Sequence, residues 1–324
     1  MTRALITGVS GQDGGYLADR LVAEGTEVHG VIRSMDDDAR ALRARLPEVV
    51  LHEGDLGDPA GLERLVLEIA PDELYNLAGI SSVAQSWREP VLTGQVTGIA
   101  VAALLEAAAR VPHEVRVLQA SSSEIFGNPA ATPQDESTRI DPISPYGAAK
   151  AYAHRMAQLA RGRGRFVATV ILYNHESPRR PETFVTRKIT AGAARIAAGL
   201  QDVLELGDLT VARDWGWAPD YVDAMIRAMR HDAPDDYVVA TGESHTVAEF
   251  VEAAFAAAGL DDWRSRVRVN SDFIRPTEIS QMRGDASRAR ELLGWAPTVS
   301  FSELVARMVE HDLELLRRAQ GSDG

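Results

Sequence analysis

Three apolar residues, Ala4, Leu5 and Ile6, run almost directly into Gly8, Gly11, Gly14 and Gly15, and a helical pattern opens at Tyr16 and Leu17. Glycine loses more freedom on ordering than any other residue. Four of them in the eight positions 8–15 therefore imply that the backbone must come close to something. A strand, a glycine turn and a helix N-terminus in that order suit a phosphate group. The turn admits the anion to the backbone, and the helix dipole favours its charge. Such a unit belongs to a parallel sheet, which the rest of the chain must supply.

Short apolar runs at 28–32, 49–51, 74–77, 115–118 and 167–172 alternate with helical patterns at 62–69, 96–109 and 146–160. This alternation predicts an α/β fold: a Rossmann-like, doubly wound parallel sheet with helices on both faces. The second half is less regular. Residues 174–187 are polar and rich in Pro and Arg, and helical patterns follow at 188–200, 220–230, 246–258 and 300–317. The expected division is a cofactor domain over 1–173, to which 211–244 returns. A smaller mixed α/β substrate lobe is expected from 174–210 and 245–324. The RGRGR run at 161–165 reads as a solvated loop.

Composition narrows the chemistry. The 324 residues carry a formal net charge of −13, which argues against nucleic acid or an anionic membrane as the main partner. There is no cysteine, so disulfides, thiolate nucleophiles and Cys-ligated metals are excluded, and no metal site is expected. No apolar run approaches the roughly 20 residues of a bilayer span, and no leader pattern precedes the first strand. A soluble cytoplasmic protein is expected.

Gly8, Ser10, Gly11, Gln12, Asp13 and Gly14 are the candidate pyrophosphate-turn residues. The second strand ends at Ile32, Arg33 and Ser34. An acidic residue there would bond the ribose diol of NAD, whereas an arginine accepts a 2′-phosphate, so Arg33 favours NADP over NAD. Asp55 and Leu56 follow the third strand, where an adenine edge is held. Leu77, Ala78, Gly79 and Ser81 follow the fourth, where small residues let a cofactor lie flat.

Tyr146 and Lys150 are four apart at the start of a helix and so share a face. A nearby ammonium stabilises phenolate, which makes the tyrosine a base. The segment Gln119, Ala120, Ser121, Ser122, Ser123, Glu124 ends the fifth strand candidate. Ketone reduction and sugar epimerisation need only a Ser or Thr hydroxyl, a Tyr and a Lys. A carboxylate beside them adds a second proton transfer, suited to removing a proton alpha to a carbonyl before elimination. Ser122, Glu124, Tyr146 and Lys150 are therefore the candidate catalytic set of a dehydratase.

With TGVSGQDGGYL, QASSSEIFG, SPYGAAKAYAH, NHESPRRPETFVTRKI and LGDLTVARDWGWAPDYV in view, the chain resembles the GDP-mannose 4,6-dehydratase family of extended short-chain dehydrogenase/reductases. The NHESPRR and RDWG stretches are particular to that family. The resemblance implies C4 oxidation of a GDP-sugar, loss of water across C5 and C6, and return of the hydride to C6 by a recycled cofactor. In it Tyr146 takes the 4-hydroxyl proton and Lys150 holds the cofactor ribose. Glu124 takes the C5 proton, and Ser122, where the family usually has Thr, bonds the 4-oxygen. It further implies cofactor contacts from His175 and Arg180. Substrate contacts are implied from Ser86, Ser123, Glu124, Asn174, Lys188, Gly207, Arg213, Arg275 and Glu278. Pro181 stands where the family commonly has Gly. The implied substrate is GDP-mannose or a related GDP-sugar, and the implied assembly a homodimer or homotetramer. A nucleotide-sugar 4-epimerase or 4-ketoreductase is the alternative, and Glu124 is the residue that separates the readings.

Overall fold

Backbone groups of an apolar strand must find partners once they leave water. Here the strands satisfy one another. The chain, seen in a computed structural model that describes residues 1–273 and 281–321, begins with β1 (Arg3–Thr7), α1 (Gln12–Ala23), β2 (Glu27–Ile32), α2 (Asp37–Arg45), β3 (Val50–Glu53), α3 (Pro59–Ile69) and β4 (Glu73–Asn76). The short helices α4 (Val83–Arg88) and α5 (Pro90–Thr93) follow, and a π-helical stretch, Gly94–Ile99, leads into α6 (Ala100–Ala108). Next come β5 (Arg116–Ser122), α7 (Pro145–Arg161), β6 (Val167–Leu172), β7 (Asn174–Glu176), α8 (Val185–Ala197), β8 (Leu204–Leu206), β9 (Ala212–Arg213), β10 (Trp215–Trp217) and α9 (Ala218–Arg230). The last elements are β11 (Asp236–Val239), β12 (His245–Thr246), α10 (Val247–Ala257), β13 (Val267–Val269), α11 (Ser287–Leu293) and α12 (Phe301–Gly321).

Seven strands form one parallel sheet in the order β11-β6-β5-β4-β1-β2-β3. The order reverses between β1 and β4. The crevice beyond the strand ends at such a reversal is where open α/β sheets bind ligands. One face of the sheet packs Leu17, Leu21, Met225, Met229 and Tyr237 from α1, α9 and β11. The other packs Leu62, Val66, Leu104 and Ala153 from α3, α6 and α7 over Leu5, Leu74 and Val117. A third core joins α8, α10 and α12 around Trp215, Phe250, Phe255 and Met308. Arg187 of α8 and Asp312 of α12 form a buried ion pair of 2.5 Å within that lobe.

Three placements differ from the sequence expectation. Ala286, Ala289, Leu293 and Trp295, expected in the lobe, belong to the first sheet core, because α11 covers β11 and the Trp295 indole donates to Asp220 O at 2.7 Å. Arg161, expected in a solvated loop, ends α7 and pairs with the buried Asp236 at 2.8 Å. The stretch Pro90–Ala108 spans 19 residues with mean hydropathy 1.6, long and apolar enough to cross a bilayer by length and composition. It packs against α3 and α7, and half of it is buried.

Candidate active site

The glycine turn is shaped by close approach. Gly8 has φ +72°, and a Cβ there would lie 3.0 Å from Ala78 Cα. A Cβ on Gly14 would lie 2.2 Å from Gly8 O, so only glycine lets the first turn of α1 settle on the strand end. Gly11, at the N-cap of α1, contributes no capping side chain, so no cap takes up the first amides of the helix. Thr7 Oγ1 donates to Asn76 Oδ1 at 2.7 Å and accepts from Leu77 N and Ala78 N at 3.1 and 3.2 Å. Asn76 Nδ2 in turn donates to Gln119 Oε1 at 2.8 Å, so one chain of hydrogen bonds ties the ends of β1 and β4 to the middle of β5. This cradle, narrowed to backbone at a helix N-terminus on the reversal point, fits a dinucleotide pyrophosphate.

The remaining cofactor candidates surround it unevenly. Arg33 is exposed just past β2. Asp55 is exposed and accepts from Gly57 N at 2.8 Å, and Leu56 packs on the second core. Gly79 and Ser81 are exposed beyond β4, and Ser10 is half-buried in the turn. Ser86, expected at the substrate, is fully buried, with its hydroxyl donating to Val83 O at 2.7 Å within α4.

The chemistry gathers at the end of β5. There Ser122 Oγ accepts from Glu124 N at 3.3 Å and closes a 3-10 turn over Ser123–Phe126. Ser144 caps α7 by accepting from Gly147 N at 3.0 Å, and Pro145 presets the first turn. Tyr146 and Lys150 then point the same way, both buried. The Lys150 ammonium donates to Ala120 O at 2.8 Å and lies 5.9 Å from the centre of the Tyr146 ring. Burial pushes Tyr146 up to about 12, and the Glu124 charge acts in the same direction. A hydrogen bond with Ser122 and the Arg180 charge oppose it. Burial pushes Lys150 down to about 8 against the attraction of Asp13. The structure thus brings Ser122, Glu124, Tyr146 and Lys150 into one site. It adds Gly147, whose Cβ would sit 2.6 Å from Glu124 O and 3.1 Å from Pro142 Cβ. The backbone of Glu124 is seated directly on the first turn of α7.

The segment after β6 closes the other side. Asn174 opens β7, which pairs with β10. The His175 ring contacts Asp13 Oδ2 through Nε2 at 2.9 Å and Tyr173 O through Nδ1 at 2.8 Å, and it stacks on Tyr221 with centroids 4.7 Å apart. Arg180 lies 3.4 Å from Glu176 Oε2, with its guanidinium 3.8 Å above the Phe184 ring. The Lys188 ammonium lies 3.6 Å over Phe273, and a Cβ on Gly207 would meet Phe273 O at 2.8 Å. Ser123 Oγ faces Met282 Sδ at 3.9 Å. Arg213 is buried and donates to Ala212 O at 2.9 Å. Its neighbour Asp214, also buried, accepts from Thr241 N at 2.9 Å, Thr241 Oγ1 at 2.7 Å and Gly242 N at 2.9 Å. Arg275 and Glu278 lie outside the described residues.

Ser122, Glu124, Tyr146 and Lys150 thus share one crevice at the end of β5. The family model described as GDP-mannose 4,6 dehydratase matches residues 5–308. GDP-mannose 4,6 dehydratase 1 of Arabidopsis thaliana is 44% identical over 331 residues, covering 97% of this chain and 91% of the relative. The chain belongs to the GDP-mannose 4,6-dehydratase family. The human GDP-mannose 4,6 dehydratase is 40% identical over 342 residues, with 97% of this chain and 92% of the relative covered. Among solved structures, a UDP-glucose 4-epimerase from Thermotoga maritima bound to UDP-glucose superimposes with a TM-score of 0.86 at 25% identity, covering 97% of this chain and 100% of that one. RMD from Pseudomonas aeruginosa, complexed with NADPH, gives 0.81 at 25% identity and covers 97% of this chain and 100% of its own. A dehydratase family thus stands on a fold shared with epimerases.

Proposed function

We propose that this site converts GDP-D-mannose to GDP-4-keto-6-deoxy-D-mannose, with NADP rather than NAD as its resident cofactor. Ser122, Glu124, Tyr146 and Lys150 form the reacting set. The observation that carries the reading is a carboxylate residue, Glu124, in the 3-10 turn that ends β5, with its backbone oxygen seated on the first turn of the helix that carries Tyr146 and Lys150. The exposed Arg33 just past β2 supports NADP.

A bound nicotinamide supplies the acceptor for the C4 hydride and later its donor to C6. The rest of the chemistry falls to the chain. Tyr146 takes the proton of the 4-hydroxyl as the C4–H bond breaks, and Ser122 holds the 4-oxygen. The Lys150 ammonium stabilises the phenolate electrostatically and is anchored by Ala120 O. The new 4-ketone acidifies C5–H, and Glu124 takes that proton. Protonated Glu124 then gives it to the departing C6 hydroxyl, which leaves as water. C5 is reprotonated by the proton first taken from the 4-hydroxyl, or by solvent in exchange with it. The sum is loss of one water and no net oxidation. Arg180, Lys188 and Arg213 supply the cationic surroundings for a diphosphate in an acidic chain.

A second copy of the chain covers one apolar face. Val91, Leu92 and Ile99 from Pro90–Ala108 and Tyr152 and Leu159 from α7 are exposed on helices that pack against each other. A patch of that kind marks an interface, and a homodimer through this face is the assembly we infer.

The test is incubation of the purified chain with GDP-mannose and either NADP or NAD, with loss of water followed by mass spectrometry. Dehydration supported by NADP at lower concentration than NAD is the expected result. Water loss from a different GDP-sugar only would reassign the substrate. No water loss from any would overturn the reading.

A further inference from the structure

We propose that residues 175–179 form a latch along α1, and that Gln12, Ser177 and Asp19 are positioning residues that couple cofactor binding to nucleotide-sugar binding. This inference rests on the function proposed above.

The contact is made by a strand end and the turn that follows it: β7 stops at Glu176, and Arg180 N donates to Ser177 O at 3.0 Å to close the turn. His175 and Ser177 both meet Gln12, and Arg179 meets Tyr16 and Asp19 one and two turns further along α1. Gln12 Nε2 donates to His175 O at 3.1 Å, and Ser177 Oγ donates to Gln12 Oε1 at 2.8 Å. Ser177 Oγ also accepts from Arg179 N at 3.1 Å. The Arg179 guanidinium lies 3.8 Å above the Tyr16 ring and pairs with Asp19 at 2.8 Å. A Cβ on Gly15 would come within 3.2 Å of Arg179 Nη1, so the glycine leaves room for the arginine to cross the helix. Asp19 also pairs with Arg45 at the C-terminal end of α2.

The imidazole adds a charge lock. Both His175 nitrogens face oxygen acceptors, the Asp13 carboxylate and the Tyr173 carbonyl. A ring that donates from both nitrogens is an imidazolium. Asp13 and His175 are therefore a buried ion pair between the glycine turn and β7.

This geometry changes the expected role of Gln12. Its oxygen is taken by Ser177 and its nitrogen by His175 O and Asp13, and the side chain is buried. The Gln12 side chain serves the segment, and its backbone amide remains at the N-terminus of α1 for the cofactor. Beyond Arg179 the chain continues into Arg180 and, in the first turn of α8, Lys188, two of the cations proposed above to surround the diphosphate. Whatever orders the first turn of α1 also orders the approach to those cations, and coupling of this kind is reciprocal.

The test is isothermal titration of GDP into cofactor-free and NADPH-saturated protein, for the wild type, Ser177→Ala and Asp19→Asn. In the wild type NADPH is expected to tighten GDP binding by about fivefold or more. In both variants that ratio should fall toward one while GDP affinity without NADPH is unchanged. In turnover the variants should raise KM for GDP-mannose with kcat preserved. Asp19→Asn lies at the half-exposed end of the latch and carries the test should Ser177→Ala fold poorly. A wild-type ratio of one overturns the latch. So does a variant that keeps the wild-type ratio, or one that loses GDP affinity equally with and without NADPH. A wild-type chain that binds neither GDP nor NADPH overturns the proposed function and the latch with it.

Discussion

Gly147→Ala sets two effects of similar size against each other. Alanine in place of glycine inside a helix contributes about 1 kcal/mol. Here the added methyl would stand 2.6 Å from Glu124 O, 3.1 Å from Pro142 Cβ and 3.2 Å from the Ser144 hydroxyl. The first neighbour is backbone and the third is the helix cap, so neither yields by turning a side chain. A carbon and a carbonyl oxygen rest at about 3.3 Å or more, so Glu124 and α7 must part by roughly 0.7 Å. Overpacking of this sort costs about 1–3 kcal/mol, which the helix gain partly offsets. The protein is therefore expected to fold with a slightly lowered Tm. Activity is affected more. Tyr146 and Glu124 sit on the two sides of the widened gap, and a shift near 1 Å can cost about 10²-fold. We expect kcat for water loss to fall about tenfold or more, read by mass spectrometry beside a thermal melt. A variant with wild-type kcat and a raised Tm would refute the reasoning, because the helix gain would then have won and Glu124 would not be set by this contact.

Glu124→Gln should bind NADPH normally by fluorescence yet dehydrate about 10²–10⁴-fold more slowly, and a near wild-type rate would remove it as the C5 base. Asp13 holds His175 above the ordinary imidazole value of 6.5 despite burial, which acts the other way. Stability from a raised pKa is complete below the unfolded value and is lost as pH rises through the folded one. Wild-type Tm should therefore fall from about pH 6.5 upward more steeply than that of Asp13→Asn; parallel curves would contradict the imidazolium. Ile99→Glu, which places a charge on the exposed apolar face, should give a monomer by light scattering, and an unchanged dimer would point to a different interface.

The sheet and the catalytic spacing were legible because both rest on local patterns. Strand–helix alternation and a four-residue step on one helix do not depend on distant chain. Gly147 was not legible, since a helical glycine looks the same in sequence whether it faces water or Glu124. The seating of Gln12 was hidden for a similar reason: its partners His175 and Ser177 lie across the sheet reversal, far away in sequence. Ser86 reads as a polar residue near the crevice, but the rotation of the short α4 turns it inward to Val83 O. The return of Trp295 to the sheet core depends on a hydrogen bond to Asp220 O that no periodicity announces. Pro90–Ala108 reads in sequence only as a helix over 96–109, because Pro90 and the polar Thr93, Gln95 and Thr97 interrupt its apolar start.

The central claim is that the hydrogen leaving C4 returns to C6 while Glu124 and Tyr146 manage only protons. GDP-mannose carrying deuterium at C4, turned over with a trace of cofactor and examined by NMR, tests it directly. The account predicts deuterium in the C6 methyl group of the product and, in a parallel run in heavy water, solvent deuterium at C5. Deuterium still at C4, deuterium lost to solvent, or reduced cofactor building up in step with product would contradict it.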